Sequence, residues 1–143
     1  MQRTTIIYAT TLIKMKLLEV LFMQLIDETY QLIEECDACL HRFQEMRRLD
    51  KEPDFFNEVK PHVDEVHTRI HEWQQHATNW IKSQHPKNLY VQQIDHAADA
   101  MEQFVVQSFF KGTSKKRFIQ SIQSAQYTLK LLATKIEEGE DDA

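Results

Sequence analysis

Seven apolar side chains, Val59, Val63, Val66, Ile70, Trp73, Ala77 and Trp80, recur at alternating steps of four and three. Nothing else in the sequence restricts the fold as much. That spacing lays them along one stripe of an α-helix, and a helix with one oily stripe needs a neighbour to cover it. Three more stripes follow the same rule. The first joins Leu18, Leu21, Leu25, Leu32, Cys36, Cys39, Phe43 and Met46, widened by Ile26, Tyr30, Ile33 and Leu40. The third joins Ile94, Ala98, Met101, Val105 and Ser108, widened by Ala97, Phe104 and Phe109, and the fourth joins Phe118, Ile122, Ala125, Leu129, Leu132 and Ile136. Four amphipathic helices with short connections predict an all-α, antiparallel up-down-up-down four-helix bundle.

The punctuation agrees. Only two glycines and three prolines occur in 143 residues, too little turn chemistry for a β fold. Helix one ends in "RRLDKEP", where Arg47 and Arg48 suit the negative end of the helix dipole and Pro53 blocks continuation. Asp54 is a natural N-cap for helix two. Pro61 predicts a kink or a broken first turn at Val59 and Lys60, Phe55 and Phe56 read as a staple over the preceding loop, and Pro86 closes the helix. Gly112 is the expected terminator of helix three. Thr113 or Ser114 then caps helix four, which makes the last connection very short.

One domain fits this length. Its expected limits are residues 23–136, with residues 1–22 as an extension of helix one or a flexible leader and residues 137–143 as a disordered acidic tail. The net charge of −5 is concentrated in that tail, where Glu137, Glu138, Glu140, Asp141 and Asp142 leave the body near neutral. Charge therefore gives no argument for nucleic acid. The N-terminal "IIYATTLIKMKLLEVLFMQLI" is apolar, but Lys14, Lys16 and Glu19 interrupt it. No uncharged run approaches the ~20 residues that span a bilayer, so stable membrane insertion is not expected and a cytoplasmic location is.

The only chemical-looking motif is "CDAC", Cys36 to Cys39. A reactive dithiol needs a helix N-terminus to stabilise its thiolate, and a zinc site needs two further ligands. Both cysteines continue the first stripe in mid-helix, so the expectation is core packing with reduced thiols. Asp64, His67 and His71 share a flank of helix two, opposite a line of Asp95, Asp99 and Glu102 on helix three. Bundles build metal sites from such facing residues, but these lines run beside the apolar seams, and a solvated, ion-paired flank is the reading preferred. Lys111, Lys115, Lys116 and Arg117 crowd a helix start, where an anion would relieve them. The aromatic side chains Trp73, Trp80, Phe104, Phe109, Phe110 and Phe118 sit at core spacing. No phosphate loop, nucleophile elbow or HExxH motif occurs.

Four segments carry a resemblance: "EPDFFNEVKP" (Glu52–Pro61), "EWQQHATNWI" (Glu72–Ile81), "HPKNLYVQQID" (His85–Asp95) and "FFKGTSKKRF" (Phe109–Phe118). Across residues 25–136 the chain resembles the YppE-like family of small bacterial proteins. The resemblance implies a cytoplasmic four-helix bundle and no known activity, and residues 1–22 depart from the family pattern.

No catalytic, cofactor-binding or metal-ligating residue is assigned. The leading expectation is a non-enzymatic binding or structural module, with Lys115–Arg117 or the loop His85–Tyr90 as contact edges and an unidentified protein as partner. The alternative is a metal-binding bundle using Asp64, His67 and His71. A third expectation is reversible membrane association through residues 6–22.

Overall fold

A computed structural model describes residues 2–141. The chain forms α1 (Gln2–Leu49), α2 (Lys60–Gln84), α3 (Val91–Gln107) and α4 (Lys115–Asp141), with a π-helical turn at Phe55–Val59 leading into α2. No strand occurs among the described residues. Helices α1 and α3 each pack against both α2 and α4, so consecutive helices are antiparallel neighbours around one core.

The four stripes meet where their spacing places them. Leu32, Phe43, Ile70, Trp73, Ile94, Met101, Leu129 and Leu132 are all buried to within about a hundredth of their surface. Phe43 stacks on Phe118 with ring centroids 4.1 Å apart, and Phe104 meets the same ring edge-on at 6.2 Å. Among the polar groups inside, the Trp73 indole donates to the Thr29 hydroxyl at 3.0 Å, and that hydroxyl donates to the Leu25 carbonyl at 2.7 Å. Both donors are satisfied, so neither carries a desolvation penalty.

Four local expectations need correction. Leu18 and Leu21 lie on the first stripe but remain 46% and 50% exposed, because α1 runs past the end of the bundle and only the end of α2 lies across a groove from them. Around Pro61 the helix widens instead of breaking. The N–H groups of Val59 and Lys60 reach back five residues to the carbonyls of Asp54 and Phe55, and Pro61 then occupies the first turn of α2, where its missing N–H costs nothing. Asp54 does cap this turn, accepting from the Asn57 N–H at 3.1 Å. Phe55 and Phe56 are not a staple: they are 51% and 76% exposed and pack edge-to-face on each other. Gly112 does not end α3. The helix stops at Gln107, where the Ser108 hydroxyl donates to the Val105 carbonyl at 2.7 Å and tight turns run on through Phe110. The last connection is accordingly Ser108–Ser114, longer than the spacing suggested, and no glycine among the described residues has a positive φ. Left-handed positions fall instead on Asp50, on Asn88 and on His85, whose N–H caps the Ile81 carbonyl.

The acidic end from Glu137 continues α4 as far as Asp141, and Glu137 accepts the Tyr30 hydroxyl at 2.6 Å. Asp142, counted in the expected tail, lies outside the described residues. No helix among the described residues is long and apolar enough to cross a membrane.

Candidate functional site

Cys36 and Cys39 are free thiols at 1% and 0% exposure. Burial pushes the Cys36 thiol far above its ordinary range and Cys39 to about 12, with the neighbouring thiol and the carboxylate of Glu35 respectively adding to the effect. Thiolate is the reactive form. Held neutral by burial, these thiols act as packing groups, Cys39 at the polar edge of the core.

Polar chemistry collects beside them. The Glu35 carboxylate, its side chain 10% exposed, receives the His62 imidazole at 2.6 Å, the Cys39 thiol at 3.6 Å and the Arg42 guanidinium at 3.8 Å. Arg42 donates to the Ser108 hydroxyl at 2.8 Å and lies 4.4 Å above the Phe109 ring. His62 Nε2 is also 3.2 Å from the Arg42 guanidinium. One ring nitrogen cannot donate to Glu35 and accept from Arg42 together, and the shorter contact to a carboxylate requires the proton to lie on it. Glu35 is therefore the shared anion between two donors. Ser, His and an acid meet here, yet not as a nucleophilic triad: Ser108 accepts from Arg42, donates to a backbone carbonyl and has no hydrogen bond to His62. The cluster ties α1 to α2 and to the end of α3.

The same device recurs. His76 on α2 meets Glu28 on α1 at 2.7 Å, and His71 meets Glu102 on α3 at 2.6 Å. These pairs divide the residues proposed for a metal. Asp64 pairs with Lys60 on its own helix at 2.6 Å, His67 Nε2 lies 3.0 Å from the Glu102 backbone carbonyl, and Gln74 donates to Asp95 at 2.8 Å. Asp99 is exposed. Among the described residues no group of three or more His, Cys, Asp or Glu is placed to hold a metal ion. Glu28, Glu35 and Arg42 escaped the sequence reading, although their heptad spacing flanks the first stripe and marked them as bundle-edge positions.

The basic turn is split. Lys111 pairs with Asp50 and, at 3.5 Å, with Glu52, so the α3–α4 connection is tied to the α1–α2 connection. Arg47 adds a bond to the Thr113 carbonyl at 2.7 Å. Lys115, Lys116 and Arg117 stay exposed on the first turn of α4. In the loop His85–Tyr90, Leu89 is buried and Tyr90 is exposed.

Of the aromatic side chains, Trp73, Trp80, Phe104, Phe109 and Phe118 are core, whereas Phe110 is partly exposed. Trp80 marks the end of the bundle, where Phe22 packs edge-on against it at 6.4 Å. Its buried indole N–H has no partner. An apolar groove of about 230 Å³ lies there, between Leu18, Leu21 and Phe22 of α1 and His76, Asn79 and Trp80 of α2. Beyond it, α1 exposes Ile6, Ile7, Tyr8, Leu12, Ile13, Met15, Leu17, Val20 and Met23, each by roughly half or more. Most of the exposed large apolar side chains among the described residues fall on this stretch, and a run of exposed apolar surface of that kind marks an interaction site.

Residues 29–136 match the family described as a bacterial domain of unknown function, DUF1798. The uncharacterised protein YppE of Bacillus subtilis (strain 168) is 33% identical over 105 residues, 73% of this chain and 85% of that one. The crystal structure of B. subtilis YppE superposes with a TM-score of 0.80 at 30% identity, covering 83% of this chain and 97% of the other. A Listeria innocua protein of unknown function gives a TM-score of 0.81 at 25% identity, with 85% and 98% covered.

Proposed function

The chain belongs to the DUF1798 family of bacterial proteins of unknown function, and from that premise we propose that it is a non-enzymatic binding or structural module whose working surface is the free half of α1. One observation carries this. The groups that resemble chemistry are engaged with one another inside the bundle, whereas the large apolar side chains of residues 6–21 stand largely in solvent. On this reading residues 23–136 are the folded unit and residues 1–22 the contact element. Two free, buried thiols favour a reducing compartment, hence the cytoplasm. The test compares full-length protein with a chain lacking residues 1–20, both expressed in the native host and isolated untagged. Association of any kind, with itself or with another macromolecule, is expected to be lost on truncation while helicity is kept. Identical association of the two proteins would remove the assignment.

A further inference from the structure

A helix that leaves its bundle should turn polar where it loses its neighbours. Here the reverse happens. Roughly a third of a turn around α1 from the buried line Leu25, Leu32, Cys36 and Phe43 runs a second line. Alongside the bundle its residues are Gln24, Asp27, Gln31 and Glu34, and beyond the bundle they are Ile6, Ala9, Ile13, Leu17 and Val20. The large side chains of that outer stretch are exposed by 57 to 65%. The hydroxyls of Thr10 and Thr11 beside it bond back to the carbonyls of Ile6 and Ile7, at 2.8 and 2.9 Å, so their polarity is already satisfied within the helix.

The order of this line reads the same in both directions. Its steps are three, four, four and three, symmetrical about Ile13. Two such helices laid antiparallel across a two-fold axis at Ile13 put Ile13 on Ile13, Ile6 on Val20 and Ala9 on Leu17, closing each layer without an unmatched residue. A self-complementary surface of this kind is what a two-fold interface requires. We propose that two copies of this chain associate through the overhanging halves of α1, antiparallel and centred on Ile13.

The register fits the same occupant. The overhang described from residue 2 to residue 20 spans about 30 Å, and the pairing sets Arg3 of one copy level with Met23 of the other, where the partner's bundle begins. It carries Arg3, Lys14 and Lys16 with Glu19, a net positive charge repeated on the partner's overhang, so the pairing is driven by the apolar line. The pairing brings Arg3 within about a turn of the partner's exposed Asp27. A face of this length approaches about 1,200 Å² of total buried area, the lower end for association that persists in solution. Self-association in the micromolar range is therefore expected. This inference rests on reading the overhang as the contact element and names what it contacts.

Analytical ultracentrifugation of the full chain between about 1 and 300 µM is expected to show monomer passing to dimer. Ile13→Asp sets two carboxylates face to face on the axis and should weaken the dimer about a hundredfold or more without loss of helicity. Under mild oxidation Ile13→Cys should form a covalent dimer, Ile6→Cys alone should not, and an equimolar mixture of Ile6→Cys and Val20→Cys should cross-link. The native thiols are buried and do not compete. A monomer at every concentration, self-linking of Ile6→Cys as fast as that of Ile13→Cys, or binding of monomer to phosphatidylglycerol-containing vesicles would each overturn the pairing. The wider module assignment would survive any of these if truncation still abolished association with another macromolecule.

Discussion

The two halves of α1 are built from similar residues and meet opposite fates. From Leu25 to Met46 the apolar line is buried, stacked and capped; from Ile6 to Leu21 side chains of the same kinds stand roughly half or more in water. Composition does not separate them. What separates them is the presence of α2 and α4 alongside one half only, so a hydrophobic helix position becomes core or contact surface according to what the fold places opposite it. Mutations that treat the two halves alike should give very different results.

The largest difference is expected for truncation of an aromatic side chain in the bundled half. Phe43 is sandwiched between Phe118 at 4.1 Å and the Arg47 guanidinium at 4.6 Å. Phe43→Ala should cost about 3–5 kcal/mol, read from urea unfolding at low protein concentration. Ile13→Ala under the same conditions should stay within about 0.5 kcal/mol. Equal losses would mean that the overhang is packed.

Alkaline pH sharpens the comparison next, because both thiols are in the bundled half. Their folded pKa values lie above the unfolded value, Cys39 at about 12, so the stability they contribute is fully present below about pH 8.5. Above it the unfolded chain releases protons that the folded chain retains, and stability falls by about 1.4 kcal/mol per pH unit per thiol. Between pH 9 and 11 the Cys36→Ala/Cys39→Ala protein should show a shallower decline than the natural one. Parallel curves would place the thiols in contact with solvent.

Smaller again is the effect expected at the polar edge of the bundled half. Glu35→Gln removes the anion shared by His62 and Arg42 and should cost about 1–3 kcal/mol, because two part-buried donors lose their charged acceptor. Asp64→Asn, on a pair with both side chains more than half exposed, should have no measurable effect. That contrast also shows which parts of the molecule were legible in its sequence. Spacing revealed the stripes and the burial of Cys36 and Cys39, because periodicity depends only on neighbours along the chain. Spacing also put Asp64, His67 and His71 together, but both histidines turned to Glu102 on α3 and Asp64 to Lys60 on its own helix. Arg42 and Ser108 are 66 residues apart and Glu35 and His62 are 27 apart, so no local pattern announces either contact. The exposed Phe55 and Phe56 and the unused Gly112 were missed for a related reason. A π-helical turn shifts the helical phase, and Ser108 ended α3 before the glycine was reached.

The smallest effect separates the halves most directly. Deleting residues 1–20 removes one helical end of exposed apolar surface but none of the buried side chains. At about 1 µM, where the chain is monomeric on the inference above, truncation should leave the unfolding midpoint unchanged within about 1 °C. At about 300 µM the full-length protein alone should gain stability, because a dimer that forms only from folded chains draws the equilibrium toward them. A midpoint that rises with concentration in both proteins would move the contact into the bundle. A midpoint lowered by truncation even at 1 µM would mean that the overhang folds back to cover the groove at Trp80, and the two halves of α1 would then be parts of one core.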